Sequence, residues 1–217
     1  MFSNFDLSGY LLQALYSLPA ILVALSFHEW AHAYAAFRLG DSTARNLGRM
    51  TVNPLAHVDP IGFVMLLVVR FGWAKPVPIN TRNFAHPRRD ELIVSLAGVA
   101  ANLVLAFLFT GVWCALLVLG VQNEIADNML QYCFVINISL LVFNLIPVPP
   151  LDGYHVLQCL FMRKTGYKPF LFLEKYGFVL LIGILLLNSR IGFLSTVVQA
   201  VIGLFLRFYM WLFGLFI

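Results

Sequence analysis

A histidine, a glutamate and a second histidine stand inside a stretch of chain with almost no other charge. The motif is His28-Glu29-Trp30-Ala31-His32, flanked by the apolar runs Leu11–Ser26 and Ala33–Phe37. A segment that apolar must satisfy its own backbone hydrogen bonds if it enters a bilayer, which makes it a helix. On a helix, positions i and i+4 share a face, so both imidazoles can grip one metal ion while Glu29 leans over the same site. HExxH also arises by chance. An ionisable trio at membrane depth is costly unless paired or metal-bound, however, and that cost favours the metal reading.

The remainder of the chain extends the membrane theme. Of its 217 residues 61% are hydrophobic and 11% charged, values that exclude an ordinary soluble domain. Spans of roughly 20 apolar residues are expected at Tyr10–Phe37, Leu92–Gly120, Met129–Ile146, more weakly at Phe170–Leu187, and at Ile191–Ile217. The fold class is therefore an all-α polytopic membrane protein with about five transmembrane helices. No repeat or flexible linker divides residues 1–217, so a single membrane-embedded domain is expected, with a core over 10–165 and a C-terminal helical hairpin over 170–217. Glu174 and Lys175 interrupt the fourth span and leave Tyr176–Leu187 as its uncharged part, which a re-entrant segment would also fit. The net charge of +4 sits beside apolar runs rather than on a nucleic-acid-binding face, so no nucleic acid partner is expected. Cys114, Cys133 and Cys159 lie in or against apolar runs without a CxxC pair and read as buried free thiols. Met1–Gly9 carries no Lys or Arg, which argues against a cleaved leader.

Basic residues orient the spans. Arg38, Arg45, Arg49, Arg70, Lys75, Arg82, Arg88 and Arg89 follow the first, and Arg163, Lys164, Lys168 and Lys175 follow the third, whereas Gly120–Asn128 holds only Glu124 and Asp127. The first and third connections should thus face the cytoplasm of a multi-pass cell-membrane protein. His32 precedes Arg38 by six residues. At about 1.5 Å per residue the metal would sit roughly 9 Å inside the cytoplasmic edge.

A catalytic zinc site has three protein ligands and an open position. Asp152, in Asn144-Leu-Ile-Pro-Val-Pro-Pro-Leu-Asp152-Gly153, is the candidate third ligand beside His28 and His32. Pro147, Pro149 and Pro150 must break the third span there, and Asp152 lies eleven residues before Arg163, at a depth similar to that of the histidines. Taken alone, Asp152 would equally serve as a helix N-cap. One Zn2+ held this way keeps residual positive charge, acidifies a bound water toward about 7 and polarises a scissile carbonyl. Glu29 would activate that zinc-bound water and return the proton to the leaving amine. Asn102, four residues after Gly98 on a small-residue face, and Asn144 could each contact substrate or make an interhelical hydrogen bond.

Three motifs in this order, HEWAH, SLAGVAAN and NLIPVPPLDG, resemble the site-2 protease family of intramembrane zinc metallopeptidases; GRMTVNPLAHVDPIG and GWAKPVPINTRNF resemble its small prokaryotic branch. The resemblance covers roughly residues 10–165 and departs at Val99, where the family often has Pro. It implies His28, His32 and Asp152 as zinc ligands, Glu29 as catalytic base, and substrate-binding roles for Asn102 and Asn144. No PDZ or CBS segment is present in the sequence. The resemblance also implies a membrane-associated β-hairpin, Phe63–Phe71 pairing with Ala74–Asn80 about Gly72, whose edge would hold unwound substrate. His57 and Asp59 in that stretch would line the site, bind a further metal, or cap turns and bond within the loop. The function implied is hydrolysis of peptide bonds in or near transmembrane segments of membrane-protein substrates carrying helix-weakening residues, as in regulated intramembrane proteolysis. The lipid bilayer and a second copy of the chain are the other partners considered. A divalent-metal transporter and a catalytically inactive membrane chaperone are the alternatives. Against the first stand too few spans and ligands; against the second, an intact Glu29 and Asp152.

Overall fold

The computed structural model describes residues 7–69 and 72–214. Met1–Asp6, Arg70, Phe71 and Leu215–Ile217 lie outside the described residues, and with them most of the expected leader-free N-terminus, two hairpin residues and the end of the fifth expected span. The architecture is all-helical, with 79% helix and no strand among the described residues. In chain order the helices are α1 (Leu7–Arg38), the single turn α2 (Thr43–Asn46), α3 (Pro60–Val69), α4 (Pro87–Val118), α5 (Glu124–Asn144), α6 (Asp152–Thr165), α7 (Lys168–Ile191) and α8 (Phe193–Phe213). Of these, α1, α4, α5, α7 and α8 are long and apolar enough to cross a membrane. Their outer faces carry large apolar side chains that water would not tolerate: Phe178 is 66% and Trp211 64% exposed. A lipid solvent removes that conflict.

Local chemistry places the helix ends. Pro87 occupies the first turn of α4, where its missing N–H costs nothing, and the Asp90 carboxylate accepts the His86 N–H at 2.9 Å. Asn123 caps α5 by accepting the Ala126 N–H at 3.0 Å, with Glu124 and Asp127 complementing the helix dipole. After Asn144 the prolines withhold backbone donors, the chain turns back through Pro147–Leu151, and α6 starts at Asp152. Gly153 permits that fold-back: a Cβ there would stand 2.4 Å from the Leu145 carbonyl oxygen.

The fourth span runs through its charges without a break. Glu174 lies inside α7, and its carboxylate accepts the Tyr154 hydroxyl at 2.7 Å and the Tyr167 hydroxyl at 2.9 Å. A charge with two hydroxyl donors need not interrupt a helix. The last helix docks on the second span, with Tyr209 donating to the Phe107 carbonyl at 2.6 Å.

The expected β-hairpin is absent from the described residues, and its edge strand for substrate goes with it. Pro60–Val69 is a helix instead. Two signals favour that outcome. PIGFVMLLVV is apolar at nearly every position, so it lacks the alternation of a half-buried strand. Asp59 also starts a helix: its carboxylate accepts the Gly62 N–H and its carbonyl the Phe63 N–H, both at 2.8 Å, with Pro60 in the first turn. Among the described residues Ala74 instead forms an isolated antiparallel bridge with Val58, which lies before the helix and outside the expected pairing, and an extended segment runs on to Asn80.

That segment is anchored by a residue the sequence did not single out. Asp41 is fully buried just beyond α1. It accepts the Asn80 N–H at 2.7 Å, the Asn83 amide at 2.7 Å, and the Thr43 N–H and hydroxyl at 3.1 and 2.5 Å. Burial opposes its ionisation, but these donors prevail and hold the carboxyl below its ordinary value. A depressed folded-state pKa contributes stability above the unfolded value, about 3.9, which is lost as pH falls through the folded one. We expect the Asn80 amide to be protected from hydrogen exchange at neutral pH and to lose protection in acid. In Asp41→Asn it should exchange at least tenfold faster at pH 7; unchanged exchange there would remove Asp41 as the anchor.

Candidate metal centre

Three side chains from two helices converge on one point. His28 and His32 project from successive turns of α1, and Asp152 opens α6 after the proline turn. The His28 and His32 Nε2 atoms are 3.0 Å apart, and the Asp152 oxygens lie 3.2 Å from His28 Nε2 and 3.3 Å from His32 Nε2. Both imidazoles are buried, at 4% and 7% exposure. Asp152 does not cap its helix: the N-cap position is Leu151 and makes no side-chain cap bond, so the carboxylate is free to face the histidines.

Hydrogen bonding on the far side of each ring decides which nitrogen carries the proton. His32 Nδ1 lies 2.7 Å from the Val94 carbonyl, which can only accept. His28 Nδ1 lies 2.6 Å from Asn102 Oδ1. The Asn102 amide donates to the Ala24 carbonyl at 3.3 Å and to Asn137 Oδ1 at 2.9 Å, while Asn137 donates to the Cys133 carbonyl at 2.8 Å. Because that chain ends on carbonyls, Asn102 Oδ1 is an acceptor and His28 Nδ1 a donor. With both rings in the neutral form that binds metal, each turns a bare Nε2 lone pair toward the other and toward a carboxylate. Such a set repels itself unless a cation lies between its members. Tetrahedral zinc with ligand bonds of about 2.0 Å separates its donors by roughly 3.3 Å. The observed separations fit that ion, and Asp152 Oδ2 is buried with no hydrogen-bond partner.

Packing above the rings is as tight as it can be. A Cβ added to Gly98 would lie 2.4 Å from His32 Nε2 and 2.6 Å from His28 Cε1. The small-residue face of α4 therefore receives the imidazoles rather than serving only as helix–helix contact.

The other expected site residues fall in different surroundings. Glu29 is partly exposed on α1, and its Oε2 accepts the Val77 N–H at 2.9 Å from the extended segment. Arg49 steadies that segment by donating to the Lys75 carbonyl at 2.6 Å. Asn102 is fully buried with both amide protons engaged, so the structure gives it His28 as a neighbour rather than an open surface. Asn144 is partly buried at the end of α5, donates to its own helix at Leu140 and does not join the cluster. His57 bonds to the Thr51 carbonyl at 2.7 Å and Asp59 caps α3; neither is near a third metal-binding group among the described residues. The cysteines are free and buried. Asn137 and Val77 escaped the sequence reading. An asparagine in the middle of an apolar span was the available signal for the first, and nothing local marks the second.

A bundle of membrane-crossing helices with a buried His–His–Asp cluster beside a glutamate defines a class, the membrane-embedded metalloproteases, and comparison with known proteins supports the assignment. Residues 118–188 match the profile of Peptidase family M50. The chain is 38% identical over 169 residues to YwhC of Bacillus subtilis strain 168, provisionally named a zinc metalloprotease, covering 76% of this chain and 77% of that protein. It is 34% identical over 141 residues to Rip2 of Mycolicibacterium smegmatis and 32% over 143 residues to Rip2 of Mycobacterium tuberculosis H37Rv, names equally provisional. Those alignments cover 63% of this chain and 54% of each Rip2, so the match spans about half of those longer relatives. No solved structure matches the chain at a significant level. The chain belongs to peptidase family M50, the site-2 protease family. It is a multi-pass membrane protein and a zinc metalloendopeptidase.

Gly98→Ala should displace the rings and lower zinc content at least tenfold with helical content unchanged, read by metal analysis and circular dichroism. Asn102→Leu should weaken zinc binding about 10- to 100-fold, the usual cost of removing a group that orients a ligand. Full zinc occupancy in both variants would separate this cluster from the metal.

Proposed function

We propose that the chain cuts peptide bonds in or near the transmembrane segments of other membrane proteins, on the cytoplasmic side of the cell membrane. One zinc ion would be held by His28, His32 and Asp152. The convergence of two buried, proton-free imidazole nitrogens and a carboxylate within 3.3 Å carries this reading. The side of the cut rests on charge. Arg38 ends α1 at the site's end of the helix, and Arg163 and Lys164 end α6, whereas Glu124 and Asp127 open α5 at the opposite end.

Zinc, when bound there, supplies Lewis-acid polarisation of the scissile carbonyl and acidifies water. The chain's own residues do the rest. Glu29 takes a proton from the attacking water as its oxygen bonds to the carbonyl carbon, then delivers that proton to the amide nitrogen as the C–N bond breaks. The products are a carboxylic acid and an amine, which exchange one proton to leave as carboxylate and ammonium. Val77 holds one Glu29 oxygen through its N–H and leaves the other for the proton. Asn102 acts through His28, by fixing its tautomer. Asn144, at the lip of the proline turn, is the asparagine left to touch substrate. A helical substrate keeps its peptide groups bonded to one another, so segments with helix-weakening residues should be preferred.

Glu29→Gln keeps size and loses the base. It should retain zinc and fold while abolishing cleavage of a membrane protein that it traps and the wild type cuts. Surviving cleavage would defeat the mechanism. Val77 offers a finer test. It sits between Pro76 and Pro78, in backbone already confined to extended conformations, and its side chain is buried against Ala33 and Ala44, so Val77→Pro deletes one N–H and trims that packing, a trimming that Val77→Ala shares. Hydrogen bonds to charged groups contribute about 1.5–3 kcal/mol. Val77→Pro should therefore lower kcat about 10- to 100-fold with KM and zinc content kept, while Val77→Ala, which keeps the N–H, should remain near wild type. Equal rates for the two variants would free Glu29 from this contact.

A further inference from the structure

A second histidine–carboxylate pair stands beside the metal cluster, and the hydrolytic mechanism does not use it. On α6, His155 follows Asp152 by three residues, so the two share a helix face one turn apart. On α4, Glu91 precedes Val94 by three, and Val94 carries the carbonyl that orients His32. Between the helices His155 Nδ1 lies 3.2 Å from Glu91 Oε1. The pair is thus one turn from the cluster on both elements, and in the same direction: α4 begins on that side, at Pro87, and α6 ends there, at Arg163 and Lys164. An ion arriving from the basic face of the membrane passes the pair before it meets the cluster.

The pair is open where the cluster is closed. The His155 and Glu91 side chains are 44% and 27% exposed, against 5% and 8% for His28 and His32. Asp152, at 16%, is the least buried of the three metal donors and the one on the same helix as His155.

Holding the helices together does not require this contact. Arg88 already fastens α4 to α6 one turn further out, through the Cys159 and Leu160 carbonyls. Among the described residues no Lys or Arg pairs with Glu91; its ionic partner is His155. A guanidinium there would repel a cation permanently, whereas an imidazole can offer a neutral nitrogen. The 3.2 Å gap is close to the roughly 3.3 Å between two donors of a tetrahedral zinc ion. His155 Nε2 makes no hydrogen bond among the described residues, so it is free to carry the ring proton when Nδ1 turns to a metal. Two protein donors are fewer than a resident zinc has, which suits a stopping point.

We propose that Glu91 and His155 form a transient loading site that captures zinc from water and passes it to Asp152 and the buried histidines. Nδ1 and Oε1 take the ion; the Nδ1 proton leaves to water and Nε2 gains one, so the ring stays neutral. The inference rests on the metal reading above and deepens it.

Metal uptake by the metal-free full-length protein in detergent tests it without turnover. Co2+ stands in for zinc, and its visible absorption reports arrival at the cluster and release to EDTA. A way station lowers the barrier in both directions and leaves the equilibrium alone. His155→Gln keeps an amide donor toward Glu91 but is a poor ligand, and Glu91→Gln keeps an acceptor without the charge. Each should slow uptake at least tenfold and release by the same factor, with wild-type Co2+ affinity and helical content. His155→Cys, which restores a ligand, should load within threefold of wild type. Wild-type uptake rates in both glutamine variants overturn the proposal, as does a His155→Cys protein no faster than His155→Gln. Weaker affinity with faster release also overturns it, since that is the mark of a packing role. Failure of the wild type to take up Co2+ would instead strike the metal reading, and this inference with it.

Discussion

Two imidazole nitrogens held 3.0 Å apart, each with its proton on the other side of its ring, are the constraint around which the molecule is arranged. With both rings neutral and no cation between them, that contact is repulsive. Three helices are needed to maintain it: α1 supplies the rings, α4 supplies the Val94 carbonyl, Asn102 and the space over Gly98, and α5 supplies Asn137 to orient Asn102. A cation placed among the donors turns the strain into binding energy, so metal affinity and the packing of the first three spans are one quantity. That coupling explains why a buried asparagine pair, costly by itself in an apolar bundle, sits at this place and not elsewhere.

The third donor poses a different problem. A carboxylate cannot come from the middle of an uninterrupted apolar span without a large penalty. The protein ends α5 early with three prolines and begins a new, more polar helix at the depth required. Arg88, at the start of α4, donates to the Cys159 and Leu160 carbonyls and so fastens α6 to the helix that orients the histidines. The donors from α1 and α6 are thereby referred to a common element, α4, and their separations stay close to what a tetrahedral ion needs.

How much of this was legible in the sequence follows from the range of each interaction. The i, i+4 spacing of His28 and His32 is local, and so is the break at Pro147, Pro149 and Pro150; both could be read directly, and the five apolar runs correspond to five long helices. Asp152 was singled out by the proline break together with depth, a one-dimensional measure that works because a bilayer orders the chain along one axis. Contacts across that axis were out of reach. Asn102 read equally well as a substrate ligand or as a structural amide until its distance to His28 was known. The hairpin failed because resemblance outweighed two local signals, the uninterrupted apolar run and the Asp59-Pro60 helix start, that pointed to a helix. Val77 acts through its own N–H, and Asp41 in part through the backbone N–H of distant Asn80, contacts that leave no mark on residue identity.

Charge balance shows why such chemistry can work at membrane depth. On the proposed reading a divalent ion faces two carboxylates, Asp152 and Glu29, and two neutral rings, so the constellation sums to zero before substrate arrives. Passing a proton from water to Glu29 and on to the leaving nitrogen moves charge by a few ångströms and changes that sum at no stage. A low-dielectric setting penalises net charge far more than internal rearrangement, and it strengthens each interaction among the fixed groups. Replacing Asp152 with a third neutral imidazole would leave the site one unit positive in the same surroundings. On this reading the carboxylate at the head of α6 does more than count as a third ligand: together with Glu29 it brings the constellation around the ion to neutrality at this depth.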